Sequence, residues 1–367
     1  MNNLILDGTK LQWYQEKVEA WNKGEKIAPV TVDMALTQAC NYKCVYCYGQ
    51  LQKNKGGVFT EKVISGFLED AKKIGVKGIS LVGDGESTCS GHLVHTLETG
   101  HKLKLAMALG TNGYLLDFDT LKSILPCLSY LRFNISAGEP RAYQRIMGAP
   151  KDGFKRVVQN INTAVILRDI LCPKTTIGMQ MVLMPEYADQ ILPLADLAIK
   201  LKVNYLIIKH CSDDEHKSLG VNYDNYKNAY PLLKAAQRRS NACTTIAVKW
   251  SKLRDGDSRS YQRCYGPPFI LQISGSGLVA PCGMFFNDSY KRFHIGNITK
   301  QRFRDIWASD HYWEVMRFLA SDKFDAQKMC GCLCLQHHVC KTLDDHKKGL
   351  VKLERPTGPE PLHKEFV

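Results

Sequence analysis

The sequence predicts an α/β fold: helices packed around a parallel sheet, with a smaller cysteine-rich domain behind it. Three observations predict it. Six short apolar segments alternate with longer amphipathic ones, the rhythm of βα units in a parallel sheet. The chain has 367 residues, long for one domain but suited to an α/β barrel with an appendage. Of its fourteen cysteines, three fall within Cys40–Cys47 and four within Cys330–Cys340, so thiol chemistry is concentrated at two places.

The elements follow in order. Residues 1–29 read as an N-terminal helical extension, with Leu11, Tyr14, Val18 and Trp21 at helical spacing and Gly24 as the stop. Strands are expected at Val30–Leu36, Gly78–Val82, Leu105–Leu109, Leu131–Ser136, Thr176–Met184 and Tyr205–Lys209. Helices are expected at Thr60–Ile74, Leu93–Thr99, Asp117–Leu125, Phe154–Arg168, Tyr187–Leu201 and Tyr223–Arg239. The polar, glycine-containing stretch Asp255–Ser260 reads as a linker. It divides a barrel at 30–255 from a domain at 256–345 in which aromatics, glycines and cysteines dominate. A charged, proline-containing tail, 346–367, offers little to pack.

Composition narrows the class. Hydrophobic residues make up 44% of the chain, enough for a large core and against global disorder. The N-terminus lacks the basic start, apolar run and cleavage site of a signal peptide. No apolar stretch is long enough to span a membrane, so the expected location is the cytoplasm. There, clustered cysteines bind metal more often than they form disulfides. The scattered Cys89, Cys127, Cys172, Cys211 and Cys243 read as small buried hydrophobes. A net charge of +13 permits an acidic partner such as a nucleotide, nucleic acid or acidic peptide. The lysines and arginines are nevertheless spread out, and no basic run supports nucleic-acid binding.

In parallel α/β sheets, ligands sit at the C-terminal ends of the strands. The first strand is followed by Cys40, Cys44 and Cys47. The second is followed by Gly83-Asp84-Gly85-Glu86 and the third by Thr111-Asn112-Gly113. The fourth ends with Asn134 and Ser136, the fifth carries Gln180, and the sixth ends in Lys209, His210 and Cys211. Polar, glycine-rich and thiol chemistry therefore gathers at one edge. The spacing C-x3-C-x2-C lets three thiolates of one loop reach three irons of a [4Fe–4S] cubane, leaving one iron without a protein ligand. A zinc site would want a fourth ligand, and no Cys or His lies close by in sequence.

The run Cys40-Asn41-Tyr42-Lys43-Cys44-Val45-Tyr46-Cys47 resembles the signature of the radical S-adenosylmethionine superfamily, with the aromatic Tyr46 just before the third cysteine. The resemblance covers roughly residues 30–211. It implies a partial (β/α)6 TIM-like barrel. It also implies a cluster whose open iron chelates S-adenosylmethionine, and reductive cleavage to a 5′-deoxyadenosyl radical that takes a hydrogen atom from the substrate. An external one-electron reductant of flavodoxin or ferredoxin type is implied with it. By position, Gly83-Asp84-Gly85-Glu86 resembles the family's GGE-type motif for the cofactor's amino group, though here it reads GDGE. Thr111-Asn112-Gly113 resembles the third-strand turn, and Asn134 and Ser136 match positions of ribose contacts. Gln180 is a further candidate or a satisfied core amide, and Tyr46 is placed to back the adenine.

The second group begins with Cys264, Gly277 and Cys282 in the pattern C-x12-G-x4-C, which resembles the start of SPASM and twitch domains. Phe293–Ile298 and Phe303–Trp307 resemble that domain's continuation. The end departs from the full pattern: Asp344 stands where another cysteine would be, and none follows Cys340. The expectation is one auxiliary cluster, twitch-like, held by Cys264, Cys282, Cys330 and Cys334, with Cys332, Cys340 and His338 as possible ligands. A structural zinc knuckle from the same residues is the alternative. Each bound cubane would lower the net charge by about 1 or 2.

For the reaction, Gly283 stands where sulfatase-maturing relatives carry an Asp after the second auxiliary cysteine. Only about thirty residues precede the first strand, too few for the leader-recognition domain of many peptide-modifying relatives. The expectation is therefore dehydrogenation or rearrangement of a small-molecule or nucleotide-type substrate. Peptide or nucleic-acid-base modification is the alternative, and a metal-stabilised binding protein without catalysis is a remote one. Cys211 could return a hydrogen atom to a substrate radical. Lys209 and His210 could bind substrate or act as a general base.

Overall fold

The structure, a computed structural model, describes residues 9–332 and 334–367; the first eight residues of the expected helical extension lie outside them. The rest of that extension is a 3-10 turn, Thr9–Tyr14, running into a helix, Gln15–Asn22, which ends before Gly24 at φ 80°.

The six expected strands form, as β1 Thr31–Met34, β2 Gly78–Leu81, β3 Ala106–Thr111, β4 Tyr130–Asn134, β5 Thr176–Leu183 and β6 Tyr205–His210. They are parallel and paired in sequence order. A further strand, β7 Thr245–Val248, extends the sheet beyond β6. Its four residues are too few to show a period. At the other edge β8 Ile270–Ile273 runs parallel to β1, and β9 Leu278–Ala280 and β10 Gly296–Asn297 follow antiparallel. The cysteine-rich region thus begins as a continuation of the barrel sheet.

The strands read as near-continuous apolar runs because helices cover their outer face. On β4, Leu131 and Phe133 are fully buried in that layer, while Tyr130, Arg132 and Asn134 alternate onto the inner face. The first covering helix, Glu61–Ile74, is capped by the Thr60 side chain accepting from Val63 N and is closed by Gly75 at φ 103°. The helix expected over Tyr187–Leu201 starts only at Ile191, after a 3-10 turn kinked at Tyr187. Likewise Pro231, near the start of helix Tyr230–Arg238, fixes a break after the 3-10 turn Tyr223–Ala229.

Two expectations change. The tail packs firmly. Lys10 Nζ donates to His363 O and Phe366 O, Thr31 Oγ1 donates to Glu365 O, and Phe366 lies edge-on to Tyr130 at 5.0 Å. Since Thr31, Gly78, Tyr130 and Thr176 begin their strands, the tail closes the N-terminal mouth of the barrel. The stretch Asp255–Ser260 is also more than a linker. Its Arg259 is buried and donates to Gly331 O and Cys332 O, both at 2.6 Å.

One buried ion pair ties the two regions. Asp70, on helix Glu61–Ile74, is 1% exposed and accepts from Arg302 Nε at 2.8 Å and Nη2 at 2.7 Å. Burial alone would raise this carboxyl, but the Arg302 fork and the Arg304 backbone N–H hold it below the usual range. Asp70→Asn is expected to lower stability by about 2 kcal/mol near neutral pH, because a half-exposed Arg302 limits the loss. A depressed carboxyl contributes above its unfolded value near pH 4 and ceases to contribute as pH falls through the folded one. The gap between variant and parent in urea titrations should therefore close on acidification.

Candidate active site

The loop after β1 carries Cys40, Cys44 and Cys47 and is pinned from two sides. Glu86 N donates to Ala39 O at 2.9 Å, and Val45 N donates to Ile146 O at 3.0 Å. Gly148, at φ 56°, leaves room for the loop, since a Cβ there would meet Lys43 O. Beneath it Tyr42 and Tyr143 pack edge to face with their hydroxyls 3.2 Å apart. Burial pushes the Cys40 thiol up to about 11 and the Cys44 thiol up to about 12; Cys47 and Glu86 add to the first, Cys47 and Cys40 to the second. The three thiols thus lie within electrostatic reach of one another on one loop.

The GDGE loop lies flat against this loop, and its glycines are the reason. A Cβ on Gly83 would sit 2.7 Å from Ala35 Cβ, and one on Gly85 would collide with Thr37 O. Asp84 points the other way: it accepts from Gln38, Ser274 Oγ and Gly275 N, clamping the loop to the β8–β9 turn. Glu86 is buried as a hub. Its carboxylate accepts from Thr88 N and Oγ1, from Thr111 Oγ1 at 2.7 Å and from Asn112 N at 2.7 Å. Asn112 donates in turn to Asn41 Oδ1, while Asn41 Nδ2 is buried without a partner. The sequence reading missed Asn41; the signal was its place directly after Cys40.

From β4 to β6 the expected residues separate into two sets. Ser136 Oγ donates to the Tyr46 hydroxyl at 2.9 Å and accepts from Val182 N, and Tyr46 donates to Met147 Sδ. Ser136 therefore orients Tyr46. Asn134 accepts from Gln180 Nε2 at 3.0 Å, side by side on the inner face. Lys209 shares that face by strand alternation and makes no hydrogen bond or ion pair among the described residues. Burial, then the Arg132 charge, pull it well below its ordinary value. Cys211 is fully buried with Sγ 3.7 Å from Tyr46 O, and burial and Cys332 keep its thiol protonated. His210 is a correction. It lies on the opposite face of β6 from Lys209, edge-on to Tyr223, with burial pushing it down to about 3. That is no place for a base acting inside the barrel. Among the scattered cysteines Cys243 is exposed, contrary to expectation.

The second group resolves into five thiols and one outlier. Cys264 Sγ lies 3.5 Å from Cys340 Sγ, and Cys330 and Cys334 are close enough to raise the thiols of Cys264 and Cys282. Cys332 does not join them: its Sγ accepts from Asp213 N at 3.0 Å, next to Cys211. Arg259 and Lys252 flank the five, with Lys252 Nζ donating to Cys334 O at 2.7 Å.

Among the described residues no three His, Cys, Asp or Glu side chains are drawn together as tightly as a single metal ion requires. The fit of larger groups rests on the donor sets. Three thiols of one loop, with the unpartnered Asn41 amide in the same loop, suit a cubane with an open corner and a ligand carrying polar groups. Five thiols beside two cations suit an anionic cluster. Replacing Arg259 by Met is expected to move the auxiliary cluster's midpoint about 60 mV more negative, a tenfold change for a one-electron couple. A redox titration followed by electron paramagnetic resonance would read it.

The profile of the Radical SAM superfamily matches residues 34–198, and that of an iron–sulfur cluster-binding domain, SPASM, matches residues 264–334. An AdoMet-dependent heme synthase of Methanosarcina barkeri is 24% identical over 85% of this chain and 90% of its own. An uncharacterised Methanocaldococcus jannaschii protein is 30% identical over 49% of this chain, which spans 61% of that protein's length. The structure of Streptococcus suis SuiB superposes with TM-score 0.64 at 17% identity, covering 95% of this chain and 80% of SuiB. No helix among the described residues is long and apolar enough to cross a membrane.

Proposed function

Because the chain belongs to the radical SAM superfamily and carries a SPASM domain behind its barrel, we propose that it cleaves S-adenosylmethionine reductively and abstracts a hydrogen atom from a small-molecule or nucleotide-type substrate inside the barrel. The observation that carries the reading is the placing of Cys40, Cys44 and Cys47 on one loop after β1, within electrostatic reach of one another and backed by the Gly83–Glu86 loop. When bound, the cluster supplies the electron and the open iron, and the cofactor supplies the radical.

The chain's own residues hold and enclose. Glu86 fixes the loop edge where the cofactor's amino group would lie, with the carbonyls of Gly83 and Gly85 as its acceptors. Asn41 Nδ2 is the donor free to meet a carboxylate. Asn112 orients Asn41, and Ser136 orients Tyr46 to back the adenine. Asn134 and Gln180 offer amide groups to the ribose. Asp84 is a positioning residue. Cys211, dry and protonated, can return a hydrogen atom, and Lys209 faces the substrate.

The auxiliary site would hold one cluster on Cys264, Cys282 and two of Cys330, Cys334 and Cys340, and that cluster would supply electron relay. Arg259 and Lys252 offset its charge. Fourteen free thiols suit a reducing cytoplasm, where a flavodoxin- or ferredoxin-type protein would deliver the electron. The small-molecule reading is supported by the tail closing the lower mouth and by the similarity, over most of the chain, to an enzyme named for heme synthesis. Anaerobically reconstituted protein, given dithionite and S-adenosylmethionine, should release 5′-deoxyadenosine and methionine. Deuterium transfer into 5′-deoxyadenosine would identify the substrate; no release from iron-loaded protein overturns the reading.

A further inference from the structure

We propose that Arg132 and Lys209 form an anion anchor within the barrel, gripping a carboxylate or phosphate of the substrate between them. The proposal rests on the function inferred above and narrows its substrate class to acids. Arg132 pairs across the sheet with Gly110 of β3 and Gly178 of β5. The missing side chain at Gly110 leaves room for the guanidinium; a Cβ there would lie 3.3 Å from Arg132 Nη2.

Neither cation has an anion. Among the described residues Arg132 makes no hydrogen bond or ion pair, and its Nε is buried without a partner. Lys209 makes none either, although each cation lies within electrostatic reach of the other. The carboxylate that feels both is Asp33 of β1, 6% exposed, which accepts from Gln272 Nε2 at 3.3 Å and reaches neither cation within ion-pair distance. Two half-buried cationic side chains without a counter-ion at ion-pair distance oppose folding. A chain keeps such an arrangement where a ligand supplies the missing charge.

Depth separates the lower half of the anchor from the cofactor residues, while Lys209, paired with Val182, stands level with Ser136. Arg132 precedes Ser136 by four residues, roughly 13 Å along a strand. An acid group held there leaves the rest of the molecule rising toward Tyr46 and Cys211. The planar guanidinium can meet two oxygens of a carboxylate or phosphate at once, and the ammonium adds a point charge.

Thermal unfolding of the reconstituted protein with inorganic phosphate, succinate or sodium chloride, at equal ionic strength, tests this without the substrate. Phosphate or succinate should raise Tm by roughly 2–4 °C over chloride, and which of them does so assigns the acid. The rise should vanish in R132M and shrink in K209M. Without added anion R132M should melt no lower than the parent, since a half-buried cation with an unpartnered Nε is gone; R132Q serves if R132M fails to fold. No rise in the parent over chloride, or a rise that persists in both variants, overturns the anchor. Failure of the parent to form 5′-deoxyadenosine would sink the function and not the anchor, because the melting assay needs no turnover.

Discussion

Cys44→Ala is expected to abolish 5′-deoxyadenosine release and to remove about four iron atoms per chain, the content of one cubane. The auxiliary iron should remain, because the five thiols around Cys264 belong to a separate pocket. Cys44 is the informative choice of the three. Its thiol sits inside the loop, 3.4 Å from Met147 O, and the two backbone bonds that pin the loop involve Ala39 and Val45 rather than its side chain. Loss of one sulfur should therefore leave the loop in place and cost little stability. Cys127→Ala is the control: its half-buried thiol reaches Ser123 O, at 3.9 Å, and iron and product should be unchanged. Iron analysis with chromatographic detection of 5′-deoxyadenosine decides. Product formation by Cys44→Ala at the parental rate would remove the ground for the proposed chemistry.

Much of this was legible in the sequence, for a physical reason. Interior parallel strands are buried on the helix side along their whole length, so segments such as Thr176–Leu183 stand out as apolar runs. The polar loops at their C-terminal ends stand out against them. What was not legible depends on contacts between distant residues. Nothing local in Ile270–Ile273 says that it pairs with β1. A tail rich in charge and proline does not advertise that Phe366 will pack on Tyr130. Strand alternation could have told His210 from Lys209, but only once the inner face was known. Nothing local marked Arg132; its inward direction follows from the pairing of β4 with β3 and β5 and the alternation along β4. The separation of Cys332 from Cys330 and Cys334 depends on Asp213, more than a hundred residues earlier.

The departure of the second-strand loop from a GGE pattern also becomes interpretable, and it frames the second large effect. Asp84 is tolerated because its side chain leaves the loop on the far side, toward Ser274 and Gly275, whereas Gly85 has no such exit. Gly85→Ala would place a methyl carbon against Thr37 O and 2.9 Å from Gln38 Cα, and neither neighbour is the end of a flexible side chain. The loop must lift, and lifting it breaks the Glu86 N to Ala39 O bond and drags the Glu86 hub from Thr111 and Asn112. Overpacking of this kind costs about 1–3 kcal/mol, a fall of roughly 1–4 °C in Tm for a chain of this size. The larger consequence is expected at the cofactor: titration calorimetry on reconstituted protein should show S-adenosylmethionine binding lost, while the three thiols still hold iron. Gly91→Ala, where a Cβ would meet nothing within 4 Å, should leave both melting and binding unchanged. If Gly85→Ala matched Gly91→Ala in both measurements, the close approach of the two loops could not be what shapes the cofactor site.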